Sequence, residues 1–163
     1  VLPNAPYQCQ DNTDPQSRQW FATRALDADA ATRVAEIRVT EPILNAHIDA
    51  KLKQYGLTDS QLAIGGFSQG AMMALQAGVR RPSACAAVVA YNGMLADSAG
   101  LRSDAITRPH VLLVHGNRDN VVPYACMAKA EQDLRAVNVP VDTATYNIGH
   151  SMNTAGLRLG ADH

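Results

Sequence analysis

The chain has 163 residues, carries a formal net charge of −1, and is 47% hydrophobic and 18% charged. This length predicts one domain over residues 1–163, and the apolar content supports a folded core, so overall disorder is excluded. The charge provides neither a basic footprint for nucleic acid nor a polybasic membrane patch. No apolar run approaches the roughly 20 residues that a membrane span needs.

The three cysteines, Cys9, Cys85 and Cys126, are widely spaced and form no CxxC pair. An odd number without patterned spacing favours reduced, structural thiols in a cytoplasmic protein, with a disulfide from Cys9 as the alternative. No charged leader precedes an apolar stretch, so a signal peptide is not visible at the start of the sequence.

The first predicted elements are a short strand and a long helix. Val-Leu-Pro at 1–3 is compatible with the end of a strand before a turn-rich segment. From Asp27 to Tyr55 the apolar residues recur mostly at three- and four-residue steps, which predicts a helix. Pro42 predicts a kink or a restart within it, and Gly56 is expected to cap its end.

Short apolar runs then alternate with helical patterns. The predicted strands cover 61–67, 85–90, 110–115 and 139–146, and the predicted helices cover 68–80 and 124–137. Continuous apolar strands separated by helices are typical of a parallel sheet that is buried on both faces. The predicted fold class is therefore α/β, a doubly wound and mostly parallel sheet with helices on both faces. Sites in such sheets lie beyond the carboxyl ends of the strands.

The sequence Gly66-Phe67-Ser68-Gln69-Gly70 follows the first of these strands and opens a helix. This is the G-x-S-x-G pattern of a nucleophile elbow, in which a sharp turn requires small residues two positions on either side of the serine. The turn exposes the hydroxyl at the positive end of the following helix. Ser68 is therefore the candidate nucleophile, and a glycine-rich turn without a catalytic role is the alternative.

A serine nucleophile needs a base that accepts its proton and an acid that orients this base. In this fold class the acid follows the serine in the chain and the histidine comes last. Asp119, after the third strand, and His150, after the fourth, fit that order. A turn aspartate and a surface-loop histidine are the plainer alternatives. His115 lies at a strand end and is interpreted as a structural hydrogen-bonding residue.

These motifs resemble those of the phospholipase/carboxylesterase family of α/β-hydrolases, which includes acyl-protein thioesterases and small bacterial carboxylesterases. The resemblance extends over essentially the whole chain, and the segments that carry it are Pro3-Asn-Ala-Pro6, Trp20-Phe21, Gly65-Gly-Phe-Ser-Gln-Gly70, His115-Gly-Asn-Arg-Asp119-Asn-Val-Val-Pro123 and Gly149-His150-Ser151. It implies an α/β-hydrolase fold with Ser68 as nucleophile, Asp119 as acid and His150 as base, in agreement with the reading of the individual residues.

The chain departs from the family pattern at two places. Family members usually have Ser-Gly where Asn92-Gly93 stands, so we expect this turn to line the pocket differently. Family chains also usually begin earlier, with a core strand and an HG-x-G turn that gives one N–H of the oxyanion hole. The other N–H would come from Gln69. Without that strand a slot beside the elbow strand is left open, and we expect a rearrangement of residues 1–6 or a homodimer to fill it, with a separate fragment bound in the slot as the alternative.

The sequence thus predicts a serine hydrolase that cleaves carboxylic esters of small to medium acyl chains, with thioesters left open, through an acyl-enzyme intermediate. Neither a metal nor an organic cofactor is implied, and the expected partner is a small-molecule ester. Met152 is the candidate for the acyl pocket because it closely follows His150, and packing in the core is the alternative for this residue. The alternative is a truncated hydrolase-fold domain that is weakly active or inactive.

Overall fold

A four-stranded parallel sheet forms the centre of the protein. The computed structural model describes residues 1–22, 29–104 and 106–163. The strands are β1 (Tyr7–Gln8), β2 (Arg18–Gln19), β3 (Ala63–Phe67), β4 (Ala87–Tyr91), β5 (His110–Gly116) and β6 (Val141–Tyr146). The α-helices are α1 (Ala30–Tyr55), α2 (Gln69–Gly78), α3 (Ala125–Arg135) and α4 (Thr154–Asp162), and single 3-10 turns cover Asp59–Gln61 and Ala99–Arg102.

The main sheet has the strand order β3-β4-β5-β6, and every neighbouring pair is parallel. Alternate residues of β4 enter two different clusters: Val88 and Ala90 pack with the buried residues of α1, α2 and α3, whereas Val89 and Tyr91 belong to a smaller cluster on the other face. Helix α4 covers that second face, where the Tyr91 hydroxyl donates to Gly156 O at 3.3 Å. Helices therefore lie on both faces, and the predicted doubly wound α/β class is confirmed.

Helix α1 begins after Asp29, whose side chain accepts a hydrogen bond from Thr32 N. The predicted start at Asp27 lies outside the described residues. The helix runs through Pro42 without a restart and ends at Gly56, which caps it with a φ of 66° as expected. Its buried residues, among them Ile37, join the main core.

The prediction of a strand at residues 1–3 is wrong. Val1 and Leu2 are 79% and 98% exposed, and a small antiparallel pair forms further on, with Tyr7 opposite Gln19. The other predicted strands and helices are present, and apart from the start of α1 their ends differ from the prediction by at most two residues. Helix α4 is an element that the sequence did not predict.

Strand β3 lies at an edge of the sheet, and no other strand in the described part of the chain pairs with its outer side. A cavity of about 410 Å³ follows this edge, and we call it the β3 groove. Its lining includes Leu44 and Ile48 of α1, Met73 of α2 and the segment Val1–Pro3. Residues 1–3 lie along this groove without pairing with β3, and Val1 and Leu2 stay largely exposed, so the segment does not replace the missing strand. The homodimer stays a prediction.

Among the described residues, no helix combines the length and the apolar character that crossing a membrane requires.

Candidate active site

The turn between β3 and α2 holds Ser68 in an uncommon backbone conformation, with φ 54° and ψ −118°. Its backbone is fixed on both sides, because Ser68 N donates to Tyr91 O at 2.9 Å and Ser68 O accepts from Met72 N at 3.1 Å. This places the serine at the carboxyl end of β3 and the amino end of α2. The prediction of a strand-turn-helix elbow at Ser68 is thus matched by the geometry.

The two glycines of the elbow are not equivalent. A Cβ atom at Gly66 would overlap the backbone of Gly70, so no other residue fits there without a shift of the main chain. A Cβ at Gly70 would have no atom within 4 Å, because Gly70 faces the β3 groove. The requirement for a missing side chain therefore holds for Gly66, and it is not supported by contacts at Gly70.

His150 follows β6 and links the other two predicted triad residues. Its Nε2 lies 3.0 Å from the Ser68 hydroxyl oxygen, and its Nδ1 lies 2.8 Å from Asp119 Oδ2. An ionised carboxylate can only accept, so Nδ1 carries the hydrogen and the neutral ring leaves Nε2 free to accept from the hydroxyl. The Phe67 ring packs against the imidazole with a centroid distance of 4.8 Å, which restricts how the ring can turn.

Asp119 follows β5, and its carboxylate is buried and fully hydrogen-bonded. Oδ1 accepts from the backbone N–H groups of Val121 and Val122, both at 2.9 Å. Oδ2 accepts from His150 and from Asn92 Nδ2. Burial raises the pKa of this carboxyl, but the hydrogen bonds from Asn92, His150 and the backbone outweigh it and lower the pKa to about 2. The acid is therefore ionised around neutral pH.

His115 is buried next to the loop that carries Asp119 and is 2% exposed. Its Nε2 lies 3.0 Å from Val122 O, which only accepts, so this nitrogen carries the hydrogen. The same nitrogen is 3.4 Å from Asp119 Oδ2, and the ring meets Tyr124 edge-on. These contacts fit the sequence-based interpretation of His115 as a structural hydrogen-bonding residue.

Gln69, the predicted oxyanion donor, is the first residue of α2. Backbone N–H groups in the first turn of a helix have no partner within the helix, so this N–H is suited to bind an anion. The Gln69 side chain has a structural role that the sequence did not predict. It accepts from Trp20 N at 3.0 Å and donates to Phe21 O at 3.1 Å, so it fixes that segment beside the elbow.

Met152, the predicted pocket residue, lies two positions after His150 and is 45% exposed. Cys9, Cys85 and Cys126 are all free. Burial raises the pKa of the Cys85 thiol to about 11, so this cysteine is not a competing nucleophile.

Asn92 is the functional candidate that sequence reasoning did not assign. It directly follows β4, is 1% exposed, and its Nδ2 lies 2.7 Å from Asp119 Oδ2 and 3.3 Å from Gly149 O. One signal in the sequence could have found it, namely its position directly after a predicted strand.

Comparisons with known proteins show which family the chain resembles. The sequence profile of the Phospholipase/Carboxylesterase family matches residues 1–163. Esterase YpfH of Escherichia coli (strain K12) is 29% identical over 152 residues, which are 92% of this chain and 63% of YpfH. Acyl-protein thioesterase 1 of Mycosarcoma maydis is 32% identical over 136 residues, which are 76% of this chain and 57% of that protein.

A solved structure extends the likeness to three dimensions. The crystal structure of esterase PE8 superposes with a TM-score of 0.92 and 32% identity, covering 99% of this chain and 75% of the PE8 chain. The chain spans about three fifths of the length of the curated relatives it matches first. With the family profile matched along its whole length, the chain belongs to the phospholipase/carboxylesterase family of α/β-hydrolases.

Proposed function

We propose that this chain is a serine hydrolase that cleaves carboxylic esters through a triad of Ser68, His150 and Asp119. One observation carries the proposal: an unbroken hydrogen-bond chain runs from the Ser68 hydroxyl through both ring nitrogens of His150 to Asp119, at 3.0 Å and 2.8 Å. These distances lie within the reach that proton transfer between nucleophile and base requires.

In the first half-reaction the Ser68 oxygen attacks the acyl carbonyl carbon while His150 Nε2 accepts the hydroxyl proton. Asp119 stabilises the imidazolium that forms, and the Gln69 N–H at the positive end of α2 donates to the oxyanion. His150 then protonates the leaving alcohol or thiol, which departs and leaves an acyl-enzyme on Ser68. A water molecule repeats these steps and releases the carboxylic acid.

The proposed substrate is a small-molecule ester with a small to medium acyl chain, and Met152 is proposed to contact that chain. Support comes from the half-exposed Met152 side chain near His150 and from relatives named as esterases. Thioesters stay open as substrates because another relative is named as an acyl-protein thioesterase. The three free thiols support a reducing compartment such as the cytoplasm.

The open outer edge of β3 favours a second candidate, a hydrolase-fold domain of low activity. This edge adjoins the elbow, and Gln69 is the one oxyanion donor that we assign. Loss of one such donor costs about 10²–10³ in rate. This candidate predicts that Ser68 is modified by a reactive phosphonate while turnover of esters is slow.

The test uses the full chain with p-nitrophenyl acetate and butyrate, matching thioesters, and a fluorophosphonate probe. We expect Ser68→Ala and His150→Ala to lose at least about 10³-fold in kcat/KM and to lose labelling, because the triad acts as a unit. Ser83→Ala is the matched control, since Ser83 is exposed and lies outside the site. Undiminished turnover or labelling of Ser68→Ala would reject the nucleophile assignment.

A further inference from the structure

Asn92 lies at the meeting point of the three loops that carry the proposed triad. It directly follows β4, the strand between β3, which leads to Ser68, and β5, which leads to Asp119. We infer that Asn92 is a positioning residue of this triad: it orients the Asp119 carboxylate and ties the Asp119 loop to the His150 loop. This inference rests on the proposed function.

The amide group of Asn92 provides two hydrogens on one nitrogen, and the structure gives each a partner. Nδ2 lies 2.7 Å from Asp119 Oδ2 and 3.3 Å from Gly149 O, the carbonyl directly before His150. One side chain therefore contacts both the acid and the backbone next to the base. The Oδ2 atom that it contacts is the same atom that accepts from His150 Nδ1.

A neutral double donor suits this position better than other side chains of similar size. A serine hydroxyl has one hydrogen and a shorter reach, so it cannot make both contacts. An aspartate would place a second negative charge beside Asp119, and like charges at this distance raise the pKa of one carboxyl. A lysine or arginine would place a positive charge where the reaction needs the carboxylate to stabilise the imidazolium of His150.

The backbone of Asn92 is held as firmly as its side chain. Its N–H donates to Val114 O at 2.8 Å, and its φ is 49°, in the left-handed region that asparagine tolerates better than most residues. With 1% of its surface exposed, the side chain has little room for another rotamer. The amide is therefore pre-oriented towards the carboxylate.

The other groups that face Asp119 do not replace this contact. His115 Nε2 is 3.4 Å from Oδ2 and closer to Val122 O, and the Val121 and Val122 N–H groups bind the opposite oxygen. The neighbouring thiol of Cys126 is neutral at ordinary pH, because burial raises its pKa. Burial raises the pKa of Asp119, and Asn92 is foremost among the hydrogen bonds that lower it to about 2.

The test compares Asn92→Ser with Asn138→Ser in the full chain. Asn138 is the matched control, because it has a φ of 62°, is exposed and lies away from the site between α3 and β6. Both variants therefore pay a similar backbone cost. For Asn92→Ser we expect kcat to fall on the order of 10–10²-fold with KM within about twofold, since small misplacements of catalytic groups cost this much. Asn138→Ser is expected to keep the kcat of the unmodified chain.

Two further readouts separate positioning from stability. In proton NMR, the hydrogen on His150 Nδ1 should shift or broaden in Asn92→Ser and stay in place in Asn138→Ser, because its acceptor Oδ2 loses a neighbour. In Asn92→Asp we expect a larger loss of kcat at neutral pH than in Asn92→Ser. Part of that loss should be recovered at lower pH, as the new carboxyl takes up a proton and can donate again.

A folded Asn92→Ser variant with unchanged kcat and an unmoved Nδ1 proton would overturn the inference, as would equal losses in Asn92→Ser and Asn138→Ser. Failure of the proposed function has a different signature, namely undiminished turnover by Ser68→Ala. In that case the Nδ1 proton signal alone still decides whether Asn92 holds the Asp119–His150 pair.

Discussion

The carboxyl end and the outer edge of strand β3 differ sharply in their hydrogen-bond partners. At its carboxyl end, Ser68, His150, Asp119 and Asn92 form a continuous hydrogen-bonded set in which both oxygens of the buried acid have two partners each. Along its outer side, nothing in the described part of the chain pairs with the strand, and the β3 groove takes the place of a neighbour. One five-residue strand thus joins a closely organised site to an open edge.

Within the described residues, the hydrogen-bonded set at the carboxyl ends of the strands is complete, although β3 has no partner strand on its outer side. Ser68, Asp119 and His150 follow β3, β5 and β6, and the pairing of these strands through β4 sets the spacing between their loops. The outer edge instead affects association and stability, because an unpaired strand edge is a template for another strand.

Substitution of the two elbow glycines should show the largest difference between the packed end and the open edge, because Gly66 faces the packed end and Gly70 faces the groove. We expect Gly66→Ala to destabilise the fold by about 3 kcal/mol or more and to lose fluorophosphonate labelling, since the new methyl group would overlap main-chain atoms. Gly70→Ala should be neutral or stabilising by up to about 1 kcal/mol, since alanine favours the helix. Urea unfolding of both variants measures the difference, and equal destabilisation would show that the groove side is as closely packed.

The buried acid predicts how the packed end responds to pH. The pKa of Asp119 in the folded chain is about 2, below its ordinary value of 3.8, so its contribution to stability is present above about pH 4 and is lost as the pH falls towards 2. At about 1.4 kcal/mol per pH unit this contribution is about 2 kcal/mol. Asp119→Asn lacks the titrating carboxyl.

We therefore expect the unfolding free energy of Asp119→Asn to fall less between about pH 5 and pH 2 than that of the unmodified chain, by about 2 kcal/mol. Denaturant titrations at several pH values measure this. Asp142→Asn, whose side chain is 62% exposed, is the control. If both variants lose stability in parallel with the unmodified chain, the hydrogen bonds at Asp119 do not favour its ionised form.

A substitution on the open edge of β3 should have the smallest effect, and it should change self-association of the chain rather than its folding. β3 carries no charged residue, whereas the opposite edge strand β6 carries Asp142. We expect the chain to self-associate through β3, and Ala63→Lys to weaken this association severalfold, because a lysine on a strand edge opposes pairing. Thr143→Lys on β6 is the control. Sedimentation over a concentration series measures the effect, and a monomer at every concentration would contradict the homodimer.

The sheet and the order of the candidate triad were predictable because their signals are local. Continuous apolar runs mark β4 and β5, and glycines around Ser68 mark the elbow. Helix α4 escaped prediction for a physical reason: Gly156 and Gly160 weaken the helical signal, yet Gly160 is what lets the helix approach Tyr91. The Asn92–Asp119 contact joins residues 27 positions apart, and it depends on a rotamer that only the packed loops determine.

Trp20 makes a change in the occupancy of the β3 groove visible in the fluorescence of the protein. It is the only tryptophan of the chain, it lines the β3 groove, and its backbone is bonded to the Gln69 side chain beside the elbow. Indole emission moves to shorter wavelength when water is displaced from the ring. The intrinsic fluorescence of the protein is therefore a built-in optical signal for whatever fills the groove, and it needs no added dye or engineered label.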